Sequence, residues 1–327
     1  MLDAKDARPT AAHARAIAER YWGRPARSVE RFSVGAANYV YDVRGDTEMQ
    51  EARETRIVVR FSTNRDLCVA AVRWNQMLRP LGVPLPELLA YDFADDGAGE
   101  MFPFMILAHV PGTELNAVYP ALSTDEKRTL AQEIAAIQAR VGTLAHASGY
   151  GYARAYDDPT LHATWEDVLR ADLARSRRRI VAVGAIDPAH VDRVAAKLPA
   201  YHPYFAQVPP TPFLDDTTTQ NVLVAGGKLS GIVDVDYVCF GDPLLTPALT
   251  RMALLSQGFA TDYTDYWCAA LGIDAARGRV LTLYTALFCV NFLSELGQRF
   301  NKDAPTPVDP AKVATLTTLL DELLAAC

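Results

Sequence analysis

The sequence predicts an α+β protein in two parts: an antiparallel-sheet N-terminal lobe over residues 1–108 and a mostly helical C-terminal lobe over residues 109–327. Three observations predict it. Short runs rich in β-branched and aromatic residues, separated by turn signals, crowd the first third. From Ser123 onward the apolar residues recur at helical intervals. One strand-like block, residues 212–236, interrupts the helices. Strands gathered first and helices later point to α+β rather than to alternating βαβ units.

The elements follow in order. Residues 10–22 have helical character. Residues 28–34, 39–44 and 56–62 read as three strands, linked by Gly35-Ala36-Ala37 and by a polar stretch containing Gly45-Asp46, which makes an antiparallel meander. A helix over 65–79 is broken by Gly82-Val83-Pro84-Leu85-Pro86. Strands over 88–93 and 103–110 flank the turn-rich segment Asp95-Asp96-Gly97-Ala98-Gly99, and the seam between the lobes lies near residues 107–113. Ser123 and Glu126 have capping-box spacing, and Leu130, Ile134, Ile137 and Val141 then recur on one helical face. Asp158-Pro159, Asp187-Pro188 and Asp309-Pro310 each read as an N-cap followed by proline in the first turn. Within the interrupting block, residues 221–224, the turn Ala225-Gly226-Gly227-Lys228 and residues 229–233 read as a hairpin.

Composition excludes several classes. Half of the 327 residues are hydrophobic, so a core can form without a disulfide or metal staple. A net charge of −7 argues against a general nucleic-acid or anionic-membrane binder. Cys68, Cys239, Cys268, Cys289 and Cys327 contain no CxxC pair and fit structural thiols in a reducing compartment. The N-terminus lacks the pattern of a secretory signal. The apolar stretch 280–296 is interrupted by Tyr284, Asn291, Ser294 and Glu295, so it reads as a buried helix and not a membrane span. The expectation is a soluble cytoplasmic protein. The run Arg175-Ser176-Arg177-Arg178-Arg179 spreads around a helix and reads as a solvated face. His109, His146 and His202 have no metal-ligand spacing.

The interrupting block holds the chemistry. It reads Phe213-Leu214-Asp215-Asp216-Thr217-Thr218-Thr219-Gln220-Asn221, then Asp234-Val235-Asp236, then Gly241-Asp242-Pro243. A hairpin brings Asn221, at the start of one strand, beside Asp234, at the end of its partner. Carboxylate and amide oxygens so placed suit Mg²⁺. Asp216 stands within reach without having to ligate the metal, so it is able to accept a proton from an attacking hydroxyl. That division of labour is the logic of phosphoryl transfer. If the returning strand continues past Asp234, Asp236 points to the same side; substrate contact, metal contact and plain solvation are all open to it.

This stretch resembles the aminoglycoside phosphotransferase and choline kinase-like family, whose members carry HxDxxxxN, a short hairpin and a Gly-Asp-Pro turn. The resemblance implies a two-lobed protein-kinase-like fold and a small-molecule kinase. It places Asp216 on the catalytic aspartate, Asn221 and Asp234 on the metal ligands, and Asp242 on the aspartate of the turn, where it braces the loop. It extends to Phe32–Tyr41 as a nucleotide loop containing Gly35 and Asn38, to Arg60 as the phosphate-contacting cation of the third strand, and to backbone groups near Leu107 and His109 that hold the base. ATP or GTP is then the donor, lying between the lobes with Mg²⁺. The acceptor is a small-molecule hydroxyl, and antibiotic resistance is the best-known role in the family.

The chain departs from the pattern at four places. Leu214 replaces the motif histidine. Asp215 adds a second candidate base, although spacing to Asn221 favours Asp216. The helix after Arg60 offers only Asp66 where a glutamate would pair with the cation. Thr246 stands where an aspartate is frequent. Leu214 and the missing glutamate motivate the alternative of a nucleotide-binding pseudokinase or regulatory module. Residues 201–327 carry 13 acidic and 7 basic side chains, a balance that suits a cationic acceptor such as an aminoglycoside or choline.

Overall fold

The computed structural model describes residues 8–32, 38–46, 55–94, 101–300 and 305–327. The chain divides into two compact units, Met1–Pro111 and Gly112–Cys327.

The first unit opens with the helix Ala11–Trp22. The Thr10 hydroxyl accepts from the His13 N–H and the His13 ring accepts from the Thr10 N–H, a reciprocal cap. Strands β1 (Ser28–Arg31), β2 (Asn38–Arg44) and β3 (Arg56–Ser62) form the expected meander. With β4 (Leu88–Asp92) and β5 (Phe104–Ala108) they make one antiparallel sheet in the order β1-β2-β3-β5-β4. Alternate residues Tyr39, Tyr41, Val43, Ile57, Val59 and Phe61 bury one face against Ala14 and Ala18 of the first helix. Strand β5 serves both faces. Phe104 and Ile106 join that cluster, while Met105 and Leu107 pack with Cys68, Ala71 and Val72 of the helix Arg65–Leu78. Beyond Leu78 the chain tightens into a 3₁₀ turn, Arg79–Leu81, because proline at position 80 cannot continue the α-helical ladder.

The second unit is mostly helical. Its largest cluster surrounds the helix Ala275–Glu295, buried along most of its length, and includes Trp165, Leu169, Phe213, Leu245, Tyr284 and Leu320. The hairpin is where the pattern put it: β9 (Val222–Ala225) pairs with β10 (Lys228–Ile232), and β6 (Thr113–Glu114) adds to its far edge. Gly226 and Gly227 both have positive φ, 57° and 74°, as a two-residue turn matched to strand twist requires. A second small sheet, β7 (Gly151–Ala153), β11 (Val238–Gly241) and β8 (Thr211–Phe213), stands in the order β7-β11-β8. Among the described residues no helix is long and apolar enough to cross a membrane.

The three Asp-Pro steps divide. Asp309 caps the helix Pro310–Ala326 as expected. Asp187 accepts from the Ala189 N–H at 2.9 Å, and the helix begins one residue later than expected, at Ala189. Asp158 caps no helix: the helix starts at Trp165 behind Thr164, whose side chain accepts from Asp167 N–H. The buried Asp158 carboxylate is instead engaged by Arg154 Nε at 2.8 Å and the Thr160 hydroxyl at 2.7 Å, contacts that hold it well below the usual carboxylate range.

Candidate active site

Strand β8 delivers Leu214, Asp215 and Asp216 into a loop that runs to β9. Thr218 turns the loop back: its hydroxyl donates to Asp216 Oδ1 at 2.9 Å, and its N–H lies 3.4 Å from the same oxygen. The N–H groups of Asn221 and Val222 both bond the Thr218 carbonyl, at 3.0 and 3.2 Å. Asn221 Nδ2 then donates to the Asp216 carbonyl at 3.2 Å, closing the five-residue span. On the returning side the Val233 N–H donates to the Asn221 carbonyl at 2.9 Å, which sets Asp234 immediately beyond the hairpin from Asn221. Asp234 has φ 61°, a left-handed conformation uncommon outside glycine. It is one of only two such non-glycine residues among those described.

The acids crowd one another. Burial, then the charge of Asp216, then those of Asp236 and Asp234, push the Asp215 carboxyl up to about 8. Burial also raises Asp216, against the Thr218 and Asn221 hydrogen bonds that favour its ionised form. Asp215, Asp216, Asn221, Asp234 and Asp236 are therefore brought together. The condition set for Asp236 is not met. Strand β10 ends at Ile232 and residues 233–237 are irregular, so strand alternation does not set the direction of Asp236. The left-handed turn at Asp234 breaks the period.

The other expected residues stand elsewhere. Asp242 is buried under the site, accepting from Tyr204 at 2.7 Å, Tyr284 at 3.0 Å and the Leu244 N–H at 3.0 Å, so it braces the Gly-Asp-Pro turn. Gly241 before it admits no side chain, since a β-carbon there would lie 2.2 Å from the Trp165 ring. Arg60 is buried at 7% exposure on β3, opposite Met105, on the face away from Val59 and Phe61. Asn38, at the start of β2, pairs with Ser62 at the end of β3, and both are buried. Leu107 is half-buried on β5, and His109 follows that strand with its imidazole held below its ordinary pKa by burial and by the Arg56 charge. Gly35 lies outside the described residues. Asp66 sits in the first turn of the helix Arg65–Leu78, behind the Asn64 cap.

Gln138, which the sequence does not single out, and Thr246, which it marks only as a departure from the family pattern, hold the loop. Gln138, from the helix Thr124–Val141, brackets the peptide of Leu214: its Oε1 accepts from the Leu214 N–H at 2.9 Å and its Nε2 donates to the Leu214 carbonyl at 2.9 Å. The Thr246 hydroxyl donates to the same carbonyl at 2.8 Å. All three residues are buried, with Leu214 at 1% exposure. Leu214, in place of the motif histidine, fills apolar space while its backbone is anchored by these side chains. The only advance signal was that Gln138 is polar on a buried helical face, flanked by Ile134 and Val141. Gln138→Leu leaves the Leu214 N–H buried without its acceptor, so it should cost about 1–3 kcal/mol in denaturant unfolding.

As a cation site, the donors are hard oxygens, one carboxylate and one amide, among carboxyls that repel one another. Among the described residues no group of three or more His, Cys, Asp or Glu is arranged to hold a metal by itself. Hard oxygen donors of this kind suit Mg²⁺, whose remaining ligands would come from phosphate and water.

Three comparisons bear on this arrangement. No curated protein matches the chain in sequence. Among solved structures, aminoglycoside phosphotransferase APH(4)-Ia matches with TM-score 0.67 at 16% identity, covering 97% of this chain and 99% of that one. The GDP complex of wild-type aminoglycoside 2'-phosphotransferase-IIIa matches with TM-score 0.66 at 18% identity, covering 97% and 99%. The GDP and kanamycin complex of APH(2")-IIia matches with TM-score 0.65 at 20% identity, covering 96% and 98%. At these identities the likeness is one of fold: protein-kinase-like, with an antiparallel sheet in the N-terminal unit. The family model for the phosphotransferase enzyme family matches residues 28–281, which take in the five-stranded sheet and the Asp215–Asp242 block. The chain belongs to the phosphotransferase enzyme family and is a small-molecule kinase.

Proposed function

We propose that the chain transfers the γ-phosphate of ATP or GTP to a hydroxyl of a small molecule. One observation carries the reading: Asp216, Asn221 and Asp234 converge at one end of the β9–β10 hairpin, tied by the Asn221–Asp216 and Val233–Asn221 hydrogen bonds. Asp216 is the base that accepts the acceptor's hydroxyl proton. Thr218 fixes one of its carboxylate oxygens, and burial lifts its pKa toward the range where a base works at neutral pH. Asn221 and Asp234 would hold Mg²⁺, which when bound supplies positive charge against the phosphates. Asp236 lies near that pair and adds to the negative field that draws the cation in, while Asp215, pushed up to about 8, keeps its proton at neutral pH. In the N-terminal unit, Arg60 is the phosphate-binding cation, Gly35 and Asn38 belong to the nucleotide loop, and backbone groups near Leu107 and His109 hold the base. Hygromycin B and kanamycin head the list of acceptors to test, because complexes in this fold contain them and the acidic C-terminal composition suits cations.

Calorimetric titration with ADP and GDP, with and without Mg²⁺, tests the donor side. A nucleotide-consumption assay over an acceptor panel tests the transfer. Expected are Mg²⁺-dependent binding of at least one nucleotide and turnover that requires an acceptor. Binding without acceptor-dependent turnover would instead identify a pseudokinase, the reading that Leu214 motivates. Absence of nucleotide binding would sink both.

A further inference from the structure

Two of the departures from the family pattern, Leu214 and Thr246, meet in one hydrogen bond: the Thr246 hydroxyl donates to the Leu214 carbonyl at 2.8 Å. A leucine side chain offers no hydrogen bond, so a polar brace at this position has to act through the backbone. That backbone is fully engaged. Gln138 takes the Leu214 N–H, and Gln138 and Thr246 both donate to the carbonyl. An ionised aspartate at 246 would set an acceptor against that carbonyl, and the N–H beside it is already taken by Gln138. Threonine supplies the donor that a buried carbonyl needs.

Gln138 reaches past this residue. Its Nε2 also donates to the hydroxyl oxygen of the fully buried Thr217 at 3.2 Å, so one side chain touches the loop on both sides of Asp215-Asp216. Further along, the Asn116 N–H donates to the Thr219 carbonyl at 2.8 Å and the Thr219 hydroxyl donates to Asn116 Oδ1 at 3.1 Å, which fixes the loop's far end. These contacts differ in kind from those of Thr218 and Asn221, which join one part of the loop to another. The internal bonds set the loop's shape, whereas Gln138, Thr246 and Asn116 tie that shape to helices outside it. Thr246 stands in the first turn of the helix Leu245–Ser256, which is seated on the Gly-Asp-Pro turn where the Leu245 N–H donates to the Asp242 carbonyl at 3.0 Å. A base acts only from a fixed place: an error of about 1 Å in position can cost about 10²-fold in rate.

We infer that Gln138 and Thr246 are positioning residues for the transfer: together they brace the Leu214 backbone and so hold Asp216 in place where the motif histidine is missing. The inference rests on the phosphotransfer reading and deepens it. Leu214 then marks a different way of holding the loop and not a loss of activity. Each residue acts through the loop backbone, and because both act on one carbonyl their effects are coupled.

The test uses the full-length chain and separates loop order from turnover. Thr246→Val removes the hydroxyl and keeps the shape, and Thr246→Ser keeps the hydroxyl. Thr250→Val is the control, because the Thr250 hydroxyl is equally buried one turn along the same helix and its bond, to the Thr246 carbonyl at 3.0 Å, stays inside that helix. Amide hydrogen exchange over residues 214–221 is read first and needs no acceptor. Gln138→Met and Thr246→Val should each speed exchange of that segment by about 10-fold or more, with Thr246→Ser and Thr250→Val within about 3-fold of the parent. Nucleotide consumption is then followed with ATP and GTP against kanamycin and hygromycin B. Thr246→Val should lower kcat by about 10-fold and Gln138→Met by about 30-fold, with acceptor KM and nucleotide affinity within about 2-fold. Thr246→Ser should recover most of the loss. Added to Asp216→Asn, the same two substitutions should cost less than about 2-fold more, since no base remains to be placed. Unchanged exchange in both variants, equal kcat losses for Thr246→Val and Thr250→Val, a loss that falls on KM or nucleotide affinity, or full additivity with Asp216→Asn would each overturn the inference. Faster exchange in the variants of a parent that turns over neither acceptor would overturn the phosphotransfer reading and not the brace.

Discussion

Asp216→Asn is expected to lower acceptor-dependent turnover by about 10²-fold or more, the usual scale for a positioned general base, while nucleotide affinity stays within about 2-fold. Asparagine is isosteric and its Oδ1 still accepts from the Thr218 hydroxyl, so the loop keeps its geometry. What is lost is the ability to take the hydroxyl proton. The loss should fall on kcat, because the base acts in the transition state and not in ground-state binding. Asp215→Asn provides the contrast. Asp215 is one residue nearer β8 and falls outside the span that Asn221 closes onto Asp216, so its substitution should reduce turnover far less. A reversed order of severity would move the base to Asp215.

The second large effect is on stability. The Asp215 carboxyl is pushed from its ordinary 3.8 up to about 8 by burial and by the neighbouring Asp216, Asp236 and Asp234. A carboxyl whose folded pKa lies above its unfolded value keeps its proton in the fold while the unfolded chain has already released it. Its contribution is therefore fully present below about pH 4 and is lost as pH rises toward about 8. Asparagine cannot ionise. Asp215→Asn should thus stabilise the chain at pH 8, on the order of 2 kcal/mol after allowance for partial solvent screening, and match the parent near pH 4. Urea unfolding of both proteins at the two pH values checks this. A variant less stable than the parent at pH 8 would show that Asp215 is held ionised by a favourable partner. Added Mg²⁺ with nucleotide should narrow the gap at pH 8, since a cation among these carboxylates removes much of the repulsion.

Several features were legible without coordinates because they rest on short-range rules. The capping box at Ser123 and Glu126 formed as read: the Ser123 N–H donates to Glu126 Oε2 at 2.8 Å, and the Glu126 N–H lies 3.3 Å from the Ser123 hydroxyl. The 56–62 strand matched residue for residue, because Ile57, Val59 and Phe61 alternate with the pleat. The Gly226-Gly227 turn follows from the left-handed angles it demands. Where local rules compete, the reading failed. Asp158 before a proline has the look of a helix cap, yet Arg154 and Thr160 offered its carboxylate better partners. For Asp236, the strand that would set its side ends at Ile232, before the left-handed Asp234.

The candidate site divides along the same line. Its acids and amide lie within a short segment whose hairpin folds them together, so residue identity and spacing were enough to name Asp216, Asn221 and Asp234. The parts that hold and shape the site come from far along the chain. Gln138 meets Leu214 across 76 positions, and in the Arg175–Arg179 run Arg177 and Arg179 find their acids, Asp192 and Glu295, on other helices. Periodicity and turn chemistry act between near neighbours and are written in residue order. Which buried peptide a side chain anchors, and which distant acid an arginine meets, depend on packing between distant segments, and only the folded chain decides them.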